Sequence, residues 1–416
     1  MKLFIVAVPY FNSDTAVVAY ELRYQCCEKL YGLAQSFESI DTMINSPGIE
    51  LLNLVGLEPF TGGKPIFIPI NKYLLLANFQ RNLTISPENL VCVITDEVPI
   101  DEVNMEKCMI LKEQGFKIAV KNIRYTPEST PLFELADYFI VDTASTGGVV
   151  DVMQIRIKNP HLQVAFINIA SKDVYNSIKQ IPSSLFEGRF YSQPVTKGVT
   201  KISPLKLSSI ELLKLANSED FEVSEASKII TRDPALSISL LKFINSPAIG
   251  VRSRVSSISH AVAMLGQIET VKWIKVAVSM YMAEDKPSEI TKLSLIRAKF
   301  AENLAGLFSL GVHASSLFLM GIFSVLDIVL NMPMERAIEF IAVDENIKDA
   351  LVYNKGKFAD VINFIFAYEQ ANWEKCSYMM ILHEIDVEAI NKTYLEALSW
   401  YRNLLDDMEY NSESSQ

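Results

Sequence analysis

Short β-branched runs separated by stretches of helical spacing dominate the first half of the chain. Leu3–Val8, Ala16–Tyr24, Ile66–Ile70, Leu90–Ile94, Lys117–Val120, Tyr138–Val141 and Val164–Ile169 each read as a strand. Strands that alternate with helices predict an α/β architecture. The turn Asn12-Ser13-Asp14 joins the first two. That link is too short for a crossover helix, so an antiparallel hairpin is expected. The remaining strands read as βα units of a modified (β/α)8, TIM-like barrel.

The pattern changes near Pro194. Thr196 to Pro204 carries Lys, Gly, Ser and Pro without apolar periodicity, which marks a domain boundary at 198/199. Beyond it the apolar positions fall on helical stripes: Ile210, Leu213 and Leu215, then Ala226, Ile229 and Ile230, then Leu236, Leu240, Leu241 and Ile244. Asp233-Pro234 supplies a capping carboxylate followed by proline at the first helical position, and Asn245-Ser246-Pro247 stops that helix. Ser256-Ser257 precede another helix, expected to end at Gly266. Residues 199–408 therefore read as all-α, with 409–416 as a disordered tail.

Neither apolar segment that invites a membrane reading sustains one. Leu3 to Val8 stops at Pro9-Tyr10 without a small-residue cleavage site, and Leu317 to Leu330 contains Asp327 and falls short of the ~20 residues that span a bilayer.

Composition narrows the function classes. Half of the 416 residues are hydrophobic and 21% are charged, enough apolar material for packed cores. A net charge of −11, with no basic stripe, argues against nucleic-acid binding; Arg252-Ser253-Arg254 reads as a solvated loop. Five cysteines without Cys-x-x-Cys spacing suit a reducing cytoplasm, with Cys92, Cys108 and Cys376 as small buried hydrophobes. His161, His260, His313 and His383 include no His-Asp dipeptide and no i, i+4 pair, so no metal site is read from them. Trp273, Trp373 and Trp400 read as packing residues.

Two phrases in the first half, Ala19-Tyr20-Glu21-Leu22 and the run from Phe186-Glu187-Gly188-Arg189 to Pro194, resemble the opening and closing motifs of the EAL family, which hydrolyses cyclic di-GMP. The resemblance implies a barrel whose strand ends hold two divalent cations on acidic and amide side chains. Carried over position by position, those ligands are mostly gone. Glu21 matches the first metal-ligating glutamate, but the next asparagine falls at Pro69, with Asn71 two residues on. The Glu-x-x-Glu phrase falls on Val93 to Asp96, and the adjacent aspartates on Lys121-Asn122. The lysine that positions water falls at Ile140, followed by a retained Asp142. Both acids of a further strand are lost at Ile167 and Ala170, the final glutamine reads Glu187, and the arginine after the opening motif is Gln25. A lysine ~5 Å from a divalent cation is repelled by on the order of 6–7 kcal/mol at an effective dielectric of about 20.

The second half resembles the HDOD family, relatives of HD-type phosphohydrolases without their metal ligands. Ile229 to Leu236, Ile244-Asn245-Ser246-Pro247, Ile258 to Gly266, Met320 to Asp327 and Tyr368-Glu369 carry this resemblance in order. The fold class expected is α/β plus all-α: an EAL-type barrel followed by an HDOD domain.

The function expected is that of a catalytically inactive bacterial signalling adaptor acting through protein partners, with no cofactor and no metal. A homodimer is compatible with it; nucleic-acid, membrane and cyclic di-GMP binding are not expected. Two alternatives stand beside it: a non-hydrolysing cyclic di-GMP receptor, with Lys121 and Arg124 replacing metal charge, and a weak metal-dependent phosphodiesterase.

Overall fold

The computed structural model describes residues 3–26, 56–77, 79–144, 148–182, 184–192, 204–216, 220–245, 257–282, 288–340 and 343–413, with positions 49, 52, 53, 218 and 255 between them. Two compact units emerge: Met1–Gln193 with Ala367–Tyr378, and Pro194–Phe366 with Met379–Gln416. The boundary expected at 198/199 lies outside the described residues.

The first unit is a closed eight-stranded barrel: β1 (Leu3–Phe11), β2 (Val17–Cys26), β3 (Ile66–Ile70), β4 (Leu90–Thr95), β5 (Lys117–Lys121), β6 (Tyr138–Asp142), β7 (Gln163–Ile169) and β8 (Ser184–Gly188). The hairpin β1–β2 is antiparallel, β1 also meets β8 antiparallel, and the pairs from β2 to β8 are parallel. Helices Lys72–Leu76 (α1), Glu102–Glu113 (α2), Thr130–Leu135 (α3), Gly148–Lys158 (α4) and Lys172–Ile178 (α5) follow β3 to β7 in turn.

Two strand readings need correction. Ser184–Gly188 is a strand although Ser-Leu-Phe-Glu-Gly has too few apolar residues to declare one; its pairing with β7 and β1 is what holds it. Strand β1 also continues through Pro9 to Phe11. Opposite Pro9, Tyr20 turns its N–H away to the Pro65 carbonyl at 2.9 Å. Pro9 thus sits at a non-hydrogen-bonded position on the β2 side, and β1 pairs with β8 only at Phe11, so no ladder bond is lost.

Tyr10, Ala19, Phe67, Val91, Val93, Ala119, Ile140, Ala165 and Ile167 fill the barrel core. Within this unit Phe4 stacks on Trp373, with centroids 5.2 Å apart and planes 2° from parallel, and the Tyr368 hydroxyl accepts the Ile5 N–H at 3.4 Å. Burial pushes the thiols of Cys92 and Cys108 above the ordinary range, as expected of small core side chains.

The second half is helical: α6 (Pro204–Ala216), α7 (Val223–Arg232), α8 (Pro234–Ile244), α9 (Ile258–Met282), α10 (Ser288–Leu304), α11 (Ala314–Phe323), α12 (Leu326–Leu330), α13 (Glu345–Tyr353), α14 (Ala359–Glu369), α15 (Trp373–Leu382) and α16 (Val387–Glu413). Asp233 caps α8 by accepting the Leu236 N–H at 3.2 Å. Asn245 follows the last turn and ties it to the next segment, exchanging two bonds with the Val255 backbone at 2.7 and 2.8 Å. Gly266 does break its helix, at φ 71° and ψ 178°, but helix resumes at once and α9 runs on to Met282. Helix α16 reaches Glu413, into the segment expected as a tail, because Glu409 to Glu413 contains no helix breaker. Residues 414–416 lie outside the described residues.

Gly311–Leu330 is long and apolar enough to cross a membrane by composition, but more than half of its most apolar stretch is buried and Ser324-Val325 divides it between α11 and α12. It serves as core. Gly321 lets α11 approach α10 so closely that an added Cβ would fall on the Ala298 backbone. Beside it Ser294 donates to the Ile322 carbonyl at 3.1 Å, and Arg297 donates to Ser324 Oγ at 3.1 Å.

Two stability outcomes are expected here. Gly321→Ala overpacks the α10–α11 crossing and should cost about 1–3 kcal/mol in urea unfolding, less what alanine's helix propensity returns. The Asp327 carboxyl is raised by burial to about 6, against the Ile328 N–H and the Arg297 charge, which pull it down. Its contribution to stability is therefore complete below the ordinary 3.8 and lost as pH rises through about 6. Asp327→Asn should melt higher than the parent at neutral pH and lose that part of the pH slope.

Candidate functional site

Side chains alternate along each strand, so the positions following the inward core residues face the barrel interior nearer the carboxyl ends of the parallel strands. After Ala19 come Glu21 and Arg23, after Ala119 comes Lys121, and after Leu185 comes Glu187. These four charges meet. Lys121 Nζ lies 3.0 Å from Glu21 Oε1. Arg23 donates to Glu21 Oε2 through Nε at 2.9 Å and through a terminal nitrogen at 2.7 Å, and that nitrogen also lies 3.2 Å from Glu187 Oε2. Glu21 is 2% exposed and Glu187 5%.

A second partner of Glu187 comes from a bulge. The β7–β8 register shifts between Phe166 and Ile169, and Asn168 takes φ 58°, a left-handed conformation that asparagine tolerates. Its N–H then reaches Glu187 Oε2 at 2.9 Å. Opposite, Gly188 has φ 144° and lies where a Cβ would strike the Ile169 backbone, so no side chain fits there.

The electrostatics follow from burial. Burial alone would raise the Glu21 carboxyl, but the charges and hydrogen bonds of Arg23 and Lys121 override it and hold the carboxyl below its ordinary value. Burial pulls the Arg23 guanidinium down, and Glu21 and Glu187 more than reverse this. The Tyr10 hydroxyl, fully buried and without a hydrogen-bond partner among the described residues, is pushed well up by burial and then by the two carboxylates.

Of the twelve positions marked by the EAL resemblance, the structure gathers only Glu21, Lys121 and Glu187 into one ion-paired group. Val93, Ile140 and Ile167 extend the apolar core upward. Pro69, Asp96, Asn122 and Ala170 are exposed. Asn71 does not face the interior as a ligand: it is exposed and caps α1, accepting the Leu74 N–H at 2.8 Å. Asp142 accepts from the Ala144 N–H and the Asn168 amide, both at 2.8 Å. Arg124 is exposed and outside the group. Neither Arg23 nor Tyr10 belongs to a motif of the sequence, though Arg23 lies two residues from Glu21 on the same strand face.

This donor set does not fit a divalent cation. Both oxygens of Glu21 are taken by cations, and among the described residues no three His, Cys, Asp or Glu side chains are grouped to hold a metal. In the helical half, His260 is exposed, His313 lies 3.0 Å from Lys357 Nζ, and His383 lies 3.1 Å from Asp360.

Removing one partner of a buried pair strands the other. Lys121→Met should cost about 2–3 kcal/mol in thermal or urea unfolding, less than for a fully buried pair because the lysine is partly solvated. The Glu21 contribution is present above the ordinary 4.5 and lost as pH falls through its depressed folded value. Glu21→Gln should therefore be less stable at neutral pH and less sensitive to acid.

Comparison with known proteins places these features. The HDOD domain model matches residues 203–350. YuxH of Bacillus subtilis (strain 168) is 28% identical, over 98% of this chain and 100% of its own length. Cyclic di-GMP phosphodiesterase CdgJ of Vibrio cholerae serotype O1 is 22% identical, over 96% of this chain and 93% of its own. The EAL enzyme Bd1971, solved with cAMP and cyclic di-GMP, is similar at 12% identity and a TM-score of 0.35, over 46% of this chain and 62% of that one, which is less than two thirds of its length. The chain thus joins a closed eight-stranded barrel to a region that matches the HDOD domain, and this fits the EAL-plus-HDOD architecture that the sequence resembles.

Proposed function

We propose that this chain is a signalling adaptor that does not hydrolyse cyclic di-GMP and works through contacts with other proteins, in a reducing bacterial cytoplasm and without cofactor or metal. One observation carries the reading: the retained glutamate of the EAL motif, Glu21, spends both carboxylate oxygens on Lys121 and Arg23. Hydrolysis of a phosphodiester by metal-activated water needs open ligand oxygens around the ion. The apolar side chains of Val93, Ile140 and Ile167 and the missing side-chain donor of Pro69 support it further. The buried Cys92, Cys108 and Cys376 suit a reducing compartment.

A second reading has its own support, since the relative CdgJ is named a cyclic di-GMP phosphodiesterase. The two separate in one experiment. Full-length protein is titrated calorimetrically with cyclic di-GMP, with and without magnesium or manganese, and the same samples are assayed for the linear dinucleotide. No heat and no product are expected. Product formation that disappears in Glu21→Ala would overturn the proposal, and binding without product would make the chain a receptor. Crosslinking and affinity capture should recover a protein partner or a second copy of the chain; recovery of neither would remove the adaptor role.

A further inference from the structure

We infer that the resident cation of this barrel is the Lys121 ammonium, held with Arg23 where the EAL resemblance places a metal ion, and that this tethered charge keeps divalent cations out. The inference rests on the reading of the site as metal-free and extends it to a cause. Two carboxylates inside the barrel must be neutralised, and they face two cations supplied by the chain. A side-chain cation has an advantage over a bound ion: it is always at its post, whatever the metal concentration. It also repels any ion that would compete for the same oxygens.

The exclusion depends on one charge more than on the shape of the site. Lys121 ends β5, in register with Thr95 of β4 and Ile140 of β6, and its ammonium reaches Glu21 across the barrel. Shortening that side chain and reversing its sign would leave Glu21, Glu187 and a new carboxylate facing Arg23 alone. The new carboxylate would add its oxygens to those of Glu21 and Glu187. Oxygen donors of this kind suit Mn2+ or Mg2+.

The test uses the full-length protein. Mn2+ is titrated into wild type, Lys121→Asp, Lys121→Met and the double variant Lys121→Asp/Glu21→Gln. Free ion is followed by electron paramagnetic resonance, with circular dichroism and melting on the same samples. Lys121→Asp is expected to bind Mn2+ at least about tenfold more tightly than wild type, because one charge has been reversed. It should also melt later with Mn2+, and Glu21→Gln should cancel both gains. A folded Lys121→Asp that binds no better than wild type would overturn the inference. Should Lys121→Asp fail to fold, Lys121→Met decides: removing the charge alone should still tighten binding at least about threefold, and an unchanged affinity would overturn it. Failure here leaves the proposed function standing if wild type remains inert toward cyclic di-GMP, whereas turnover by wild type would sink that function directly.

Discussion

Two carboxylates with almost no access to water, Glu21 and Glu187, impose a demand that the barrel has to meet. An ionised carboxylate in an apolar surround is costly unless a counter-charge and hydrogen bonds replace the lost hydration. Here Arg23 lies between the two glutamates and Lys121 reaches the remaining oxygen of Glu21, so β2, β5 and β8 join in one electrostatic unit. The bulge at Asn168 and the bare Gly188 belong to the same solution, since together they bring a backbone N–H onto Glu187. The high Tyr10 pKa is a consequence of burial beside the same carboxylates.

This arrangement explains how a barrel can be held together with few of the polar ligands that the EAL resemblance places at its mouth. Fold stability resides in the apolar layers below the charges, and those are complete. Where the EAL resemblance places polar ligands, Val93, Ile140 and Ile167 instead lengthen the core toward the mouth, and each adds buried apolar surface. A lysine is absent at position 140 but present at 121, directly opposite it in the β5–β6 register. Its charge therefore enters from the neighbouring strand and meets a carboxylate. A fold can keep its packing while the residues of its site differ, because packing and site chemistry use different side chains.

The helical half solves a different problem with small residues. Close approach of α10 and α11 is possible because Gly321 has no side chain to place against Ala298, and the freed space is crossed by hydrogen bonds from Ser294 and Arg297. The guanidinium also lies over the Phe366 ring at 4.8 Å. The buried Ser294 and Arg297 are thus engaged with a backbone carbonyl and a hydroxyl.

Local patterning made much of this molecule legible. Seven of the eight strands, the opening hairpin, the caps at Asp233 and Asn245, the break at Gly266 and the buried cysteines all follow from short-range preferences that a chain expresses wherever it is placed. The loss of ligand chemistry at Pro69, Val93, Ile140 and Ile167 was equally plain, because a side chain without donor atoms cannot acquire them by folding. The eighth strand was hidden, since its pairing partners, and not its composition, make it a strand. So was the fate of Glu21. Its two cations stand 2 and 100 residues away in the chain. Only barrel closure brings the distant one within 3.0 Å, and only burial makes the meeting obligatory, because both depend on strand register and on the exclusion of water.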